Sequence, residues 1–194
     1  MAPISQKRLT SRLEVRIHFC TLLSEVVLET DYLAINKKLK ETIRPSQNLL
    51  LKHDILLKPV SYASLDLPKL RKLSAVAKGA TPEQRRLVTL FRQAASPARN
   101  EAAVFFVDSI VDENQNNVLG CAVPELGAVM LSTNVSRWTF GHEMCHLLGI
   151  EGHATEAGRL MYENTAELDP QCTPELVWSE LLQLRSSRFA RIAK

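Results

Sequence analysis

The sequence predicts an α+β fold. An α/β-type N-terminal lobe is built on a mixed sheet, and a small irregular C-terminal lobe follows and ends in a helix. Three observations carry this. Strand-like and helix-like segments interleave up to Gly149. One helical pattern, from about Leu22 to Ile43, is long enough to back a sheet. From 150 to 173 neither period is sustained, and a last helical pattern then begins. The 194 residues suit a single domain, 1–194, with 1–149 as the N-terminal lobe and 150–194 as the C-terminal lobe.

Leu13 to Phe19 alternates apolar and polar residues, the period of a half-buried strand. The long helix that follows is expected to stop at Arg44-Pro45, because proline cannot donate to the helical ladder. Ile55 to Tyr62 reads as a second strand. Asp66 to Lys78 reads as a short helix, with Pro68 near its start and Gly79 after its end. Thr81-Pro82-Glu83 opens another, with Thr81 as cap, running to about Ala95. Ala102 to Val107 is uniformly apolar and reads as a buried strand. Asp112 to Asn117 is a polar loop, and Gly127 to Ser132 a short strand. A helix is expected from near Ser136 to Gly149, and a final one from Thr173-Pro174-Glu175 toward Arg191.

Composition narrows the partners. Lys and Arg number 24 against 21 Asp and Glu, a net charge of +3. The basic residues are scattered, with one cluster at Lys37, Lys38 and Lys40 that suits a solvated helix face, so no nucleic-acid partner is expected. No apolar run reaches membrane-spanning length. The N-terminus is interrupted by Glu14, Arg16 and His18 and lacks a signal-peptide pattern; a cytoplasmic setting and export by a secretion system both stay open. Cys20, Cys121, Cys145 and Cys172 form no CxxC pair, which excludes a four-cysteine zinc knuckle. Cys145 is expected as a core thiol.

Three of the five histidines fall between 142 and 153. In His142-Glu143-Met144-Cys145-His146 the two histidines stand four apart, which stacks both imidazoles on one helix face, close enough to share one ion. Neutral imidazole is a preferred zinc ligand, and Glu143 is placed to exchange protons with a water on the open side of the metal. Gly149 stops the helix three residues later, so the chain can turn back and bring His153 to the same ion. Competitors for that third position are Glu151, Glu163 and Glu167. Arg159-Leu160-Met161-Tyr162 supplies an apolar turn farther on.

The run His142-Glu143-Met144-Cys145-His146-Leu147-Leu148-Gly149, then His153, then Met161, resembles the metzincin clan of zinc peptidases, matrixin-like members especially. The resemblance implies a zincin-type mixed sheet with a long backing helix and an active-site helix. It implies one catalytic Zn2+ on His142, His146 and His153, Glu143 as general base, and Met161 as the Met-turn residue. The family's third histidine falls at position 152, which here is Gly152, so His153 arrives one residue late. A downstream glutamate, Glu163 or Glu167, would instead make the site similar to gluzincins. The cysteines do not reproduce the second zinc site of archaemetzincins. Peptidases of this kind hold substrate along a sheet edge, which makes Cys121, Ala122 and Val123 candidates; Tyr162 is a further one, with packing as its other reading. The function expected is zinc-dependent endopeptidase. A non-catalytic zinc-stabilised binding module and a hydrolase of peptidoglycan or other amides remain as alternatives. The expected partner is a peptide or protein substrate, and an inhibitor or immunity protein would accompany a toxin or effector role.

Overall fold

Six strands, among the residues described, form one mostly parallel sheet ordered β2-β1-β4-β8-β7, with β9 beside β1. They are β1 (Leu13–Thr21), β2 (Ile55–Ser64), β4 (Ala102–Val107), β7 (Gly120–Val123), β8 (Ala128–Ser132) and β9 (Arg191–Ile192). The computed structural model describes residue 7 and residues 10–22, 30–76 and 79–193; for 30–39 only the backbone is described. Strands β2, β1, β4 and β8 run parallel, whereas β7 pairs antiparallel with β8 at one edge. A second, three-stranded sheet joins β3 (Lys72–Ser74), β5 (Ser109–Val111) and β6 (Asn117–Val118).

Helices cover both faces of the large sheet, as a mostly parallel sheet requires. On one face Val15, Ile17, Val104, Phe106 and Leu131 pack with residues of α1 (Thr30–Leu51), α3 (Thr139–Leu147) and α4 (Trp178–Ser186). On the other, Cys20, Phe105, Val107 and Met130 pack with Leu87, Val88 and Phe91 of α2 (Pro82–Ala95). β4 is buried at every position, which explains its unbroken apolar run. Thr81 caps α2 as expected: its Oγ1 accepts from the Gln84 amide, and Gln84 Oε1 accepts from the Thr81 amide. His18, for which the sequence suggests no role, is structural. Its Nε2 lies 2.8 Å from Glu101 and its Nδ1 2.8 Å from the Ser61 hydroxyl, which ties β2 to β1 beneath the sheet.

Several expectations are corrected. α1 does not stop at Arg44-Pro45 but continues through Pro45 to Leu51. Proline inside a helix costs about 3 kcal/mol. The roughly two extra turns bury Leu49 and Leu50 against the sheet, each contributing about 1.5–3 kcal/mol, which offsets that cost. Leu22 is not helical, its amide donating to Phe106 O at 2.8 Å, while residues 23–29 and the side chains of Lys37 and Lys38 lie outside the described residues. The helix expected over Asp66–Lys78 is a 3-10 turn at Pro68–Leu70 followed by β3, because pairing with β5 and burial of Leu73 outweigh local helical preference; residues 77 and 78 lie outside the description. Strands β5 and β6 are too short to show a period. The final helix starts at Trp178 rather than Thr173: Glu175 is extended, its amide bonded to Gly158 O and its carbonyl to the Leu160 amide. It ends at Ser186, and the chain returns to the sheet as β9. The motif helix is shorter than expected, Thr139–Leu147, with Ser136 bonded to Thr139 just ahead of it.

Where α1 crosses α3, Gly141 faces Ser46. A Cβ at 141 would lie 2.7 Å from Ser46 Oγ and 3.0 Å from its Cβ, both closer than side chains pack. Gly141→Ala is therefore expected to destabilise the fold by about 1–3 kcal/mol through overpacking. Urea denaturation of Gly141→Ala, Ser46→Gly and the double variant checks this: the double should lose less stability than the sum of the singles, and strict additivity would contradict the crossing contact.

Candidate metal centre

α3 carries His142, Glu143 and His146 and is buried everywhere except His146, which is half-buried. His142 Nδ1 donates to the Leu160 carbonyl at 2.9 Å, and His146 Nδ1 donates to the Ile150 carbonyl at 2.9 Å. A carbonyl carries no proton, so each neutral ring holds its hydrogen on Nδ1 and presents a bare lone pair at Nε2. Those two Nε2 atoms face each other at 3.1 Å, and His146 Nε2 is 3.2 Å from His153 Nε2. Lone pairs so placed repel unless a cation lies among them. The donor atoms of the three histidines all fall within 4.8 Å of one another, and this is the one such group of three metal-ligating side chains among the described residues. Three imidazoles whose ring nitrogens converge form a donor set that suits zinc. Burial pushes the His142 imidazole down to about 4, and its histidine neighbours add to that, so it is neutral and ready to ligate well below neutral pH. His146 is lowered by the same cause.

The route to His153 follows from the helix end. The Ile150 amide donates to Cys145 O at 3.1 Å and the Gly149 amide to His146 O at 3.0 Å, closing α3. Gly149 and Gly152 take φ of 109° and 80°, conformations open to glycine at little cost. The second of these lies directly before His153, where the chain turns back toward the helix. The chain is then pinned, because the Ala154 amide donates to Met161 O at 2.7 Å. A tight turn, Arg159–Tyr162, is closed by the Tyr162 amide on Arg159 O. It presents the Leu160 carbonyl to His142 and buries Met161 in the core. Arg159 holds the turn to α4 through Glu180 at 2.7 Å.

Glu143 is packed beneath β7. A Cβ at Gly120 would stand 2.9 Å from Glu143 Cγ, so only glycine allows the strand to lie this close. Burial pushes the Glu143 carboxyl up to about 8, partly opposed by the Ala122 backbone N–H that hydrogen-bonds it. An open cleft of about 1250 Å3 is lined by Gly120, Cys121 and Ala122 of β7 and by Ile150, His153 and Thr165 of the chain after α3.

The other predicted residues fall as follows. Cys121 and Ala122 line the cleft, while Val123 is buried in the core on the α2 side. The Cys121 thiol accepts from Gln84 Nε2, and burial together with the nearby Glu143 raises it to about 12. Cys145 is a buried free thiol, as expected, and Cys20, Cys121 and Cys172 are free as well. The Tyr162 hydroxyl donates to Glu167, which also accepts from Asn164 Nδ2, so Glu167 is engaged away from the histidines. Glu151 and Glu163 line the cleft, and neither belongs to the histidine group. Sequence reasoning misses the two carbonyl acceptors, Leu160 and Ile150, and the closeness of Gly120, because backbone atoms leave no side-chain signature.

No family profile matches the chain, and no curated protein matches it in sequence. Its fold, however, is shared with solved structures. A zinc-dependent peptidase from Methanocorpusculum labreanum superposes with a TM-score of 0.53 at 17% identity, over 87% of this chain and 99% of that one. An archaemetzincin from Methanopyrus kandleri superposes at 0.50 with 12% identity, over 95% and 97%. A chain from a chaperone–substrate complex gives 0.54 with 14% identity, over 92% of this chain and 38% of that one. At such identities the likeness is one of fold: this is a mixed α/β structure of the kind found in zinc-dependent peptidases.

The Glu143 pKa has a consequence for the metal-free protein. Between the ordinary glutamate value and about 8 the folded state retains a proton that the unfolded chain has released. Stability from this group is thus present at low pH and lost as pH rises through about 8. Glu143→Gln has no such loss. In chelator-treated protein its stability advantage over wild type should grow between pH 5 and pH 9 by a few kcal/mol, read from urea midpoints. A pH-independent difference would contradict the buried setting.

Proposed function

We propose that the chain is a zinc-dependent endopeptidase, with 1–194 acting as one catalytic unit. His142, His146 and His153 would hold a single Zn2+, and Glu143 would be the general base. When bound, zinc lowers the pKa of a coordinated water toward about 7, polarises a carbonyl, and keeps the adjacent Glu143 carboxylate ionised. Glu143 takes the proton of the attacking water and then delivers it to the departing amine. Edge strand β7 receives the substrate as an extended strand, with Cys121 and Ala122 along the cleft. The Ala122 N–H orients the Glu143 carboxylate. Met161, buried next to the carbonyl that fixes His142, serves as the Met-turn residue.

The observation that carries this reading is the convergence of three imidazole nitrogens beside a buried glutamate, inside a cleft bounded by a free strand edge. A non-catalytic zinc module fits less well. A structural site needs no carboxylate, and Glu143 is held in a setting that raises its pKa and so weakens the fold above neutrality. His153 is favoured over the glutamates as third ligand because its Nε2 is already within 3.2 Å of His146 Nε2, whereas Glu167 is committed to Tyr162 and Asn164. Peptidoglycan peptides and other amides would be cut by the same chemistry, and a substrate library distinguishes them.

Two results are expected. Glu143→Gln should retain zinc, measured by elemental analysis, and lose about 10²–10⁴-fold in kcat on any peptide the wild type cleaves; undiminished hydrolysis would refute the general-base role. His153→Ala should lower zinc affinity at least tenfold in chelator competition, while Glu163→Gln and Glu167→Gln leave it unchanged. The reverse pattern would move the third ligand to a glutamate.

A further inference from the structure

We propose that the cleft selects peptides bearing lysine or arginine next to the scissile bond, through Glu151 and Glu163. This rests on the endopeptidase reading above and adds the substrate class to it.

The argument begins with how charge is distributed. The chain is basic in sum, with 24 Lys and Arg against 21 Asp and Glu. Yet among the described residues no Lys or Arg lines the cleft, while four glutamates do: Glu125, Glu143, Glu151 and Glu163. Two of the four are accounted for. Glu125 is paired with Arg85 at 2.6 Å, and Glu143 is the buried base. Glu151 and Glu163 are exposed and have no ion-pair partner among the described residues.

These two glutamates lie on neighbouring segments of the chain after α3. Glu151 stands two residues before His153, and Glu163 two residues after Met161. The Ala154 amide bonded to Met161 O, with the bridge between Ala154 and Tyr162, locks the two segments side by side. Both glutamates line the same cleft as Gly120, Cys121 and Ala122 of β7. A peptide extended along β7 points alternate side chains to alternate sides, so half of them would be offered to the cleft that Glu151, Glu163 and the three histidines line. A concave site lined by one sign of charge raises the local concentration of an oppositely charged ligand, and the effect weakens with salt.

The test uses zinc-loaded full-length protein and fluorogenic peptides identical except for Lys, Arg, Gln or Glu scanned through the positions flanking the cleaved bond. The wild type should show about tenfold higher kcat/KM for Lys or Arg over Gln at a flanking position at low salt, a ratio that shrinks as salt is added. Glu151→Gln with Glu163→Gln should bring the ratio to about one, and Glu151→Lys with Glu163→Lys should favour Glu peptides. Being an internal comparison, the ratio is insensitive to partial loss of folded protein. Equal cleavage of all four peptide series, or a preference that survives the double variants, would overturn the proposal. Cleavage of no peptide would instead count against the peptidase reading. In that event, fluorescence anisotropy of Lys-scanned and Gln-scanned peptides on Glu143→Gln protein reads the charge preference alone, and equal affinities would overturn it.

Discussion

Two hydrogen bonds organise this molecule: His142 Nδ1–H to Leu160 O and His146 Nδ1–H to Ile150 O. Each takes up the proton of an imidazole and turns the opposite nitrogen, as a bare lone pair, toward the same point. Much of the chain after α3 can be understood as support for these two acceptors. The Ile150 carbonyl is delivered by the glycine that ends the helix. The Leu160 carbonyl is delivered by a turn that Arg159 anchors to Glu180 and that backbone bonds tie to Glu175. The helix itself is set by its glycine contact with Ser46 of α1, and that contact depends on α1 running on past Pro45.

The centre therefore stores unfavourable electrostatics. Burial lowers His142 and raises Glu143, each shift marking a charged form that the interior resists. Without a cation, facing imidazole lone pairs and a desolvated carboxyl all weaken the fold. A divalent ion relieves both at once, since it is attracted to the lone pairs and stabilises the carboxylate. In the proposed reading this local instability belongs to a site arranged for metal binding and catalysis, since a purely structural cluster has no need of the glutamate.

How far the sequence discloses this depends on which atoms carry the information. The histidine spacing and the Thr81 cap are side-chain patterns, and the structure groups His142, His146 and His153 and caps α2 with Thr81. The unbroken apolar run at 102–107 likewise becomes a strand buried on both faces. That the chain brings His153 to the other two histidines could be anticipated because Gly152 tolerates a positive φ. Where reading fails, tertiary contacts outweigh local preference: the burial of Leu49 and Leu50 extends α1 past a proline, and pairing with β5 turns an expected helix into β3. The carbonyls of Leu160 and Ile150 and the amide of Ala122 are invisible for a different reason, since every residue has them and only the fold decides which are used.

X-ray absorption at the zinc edge of the zinc-loaded protein addresses the central claim most directly. Three imidazole nitrogens and one further light atom at about 2.0–2.1 Å are predicted. A spectrum with only two imidazoles, or with a sulfur shell at about 2.3 Å, would contradict the three-histidine centre.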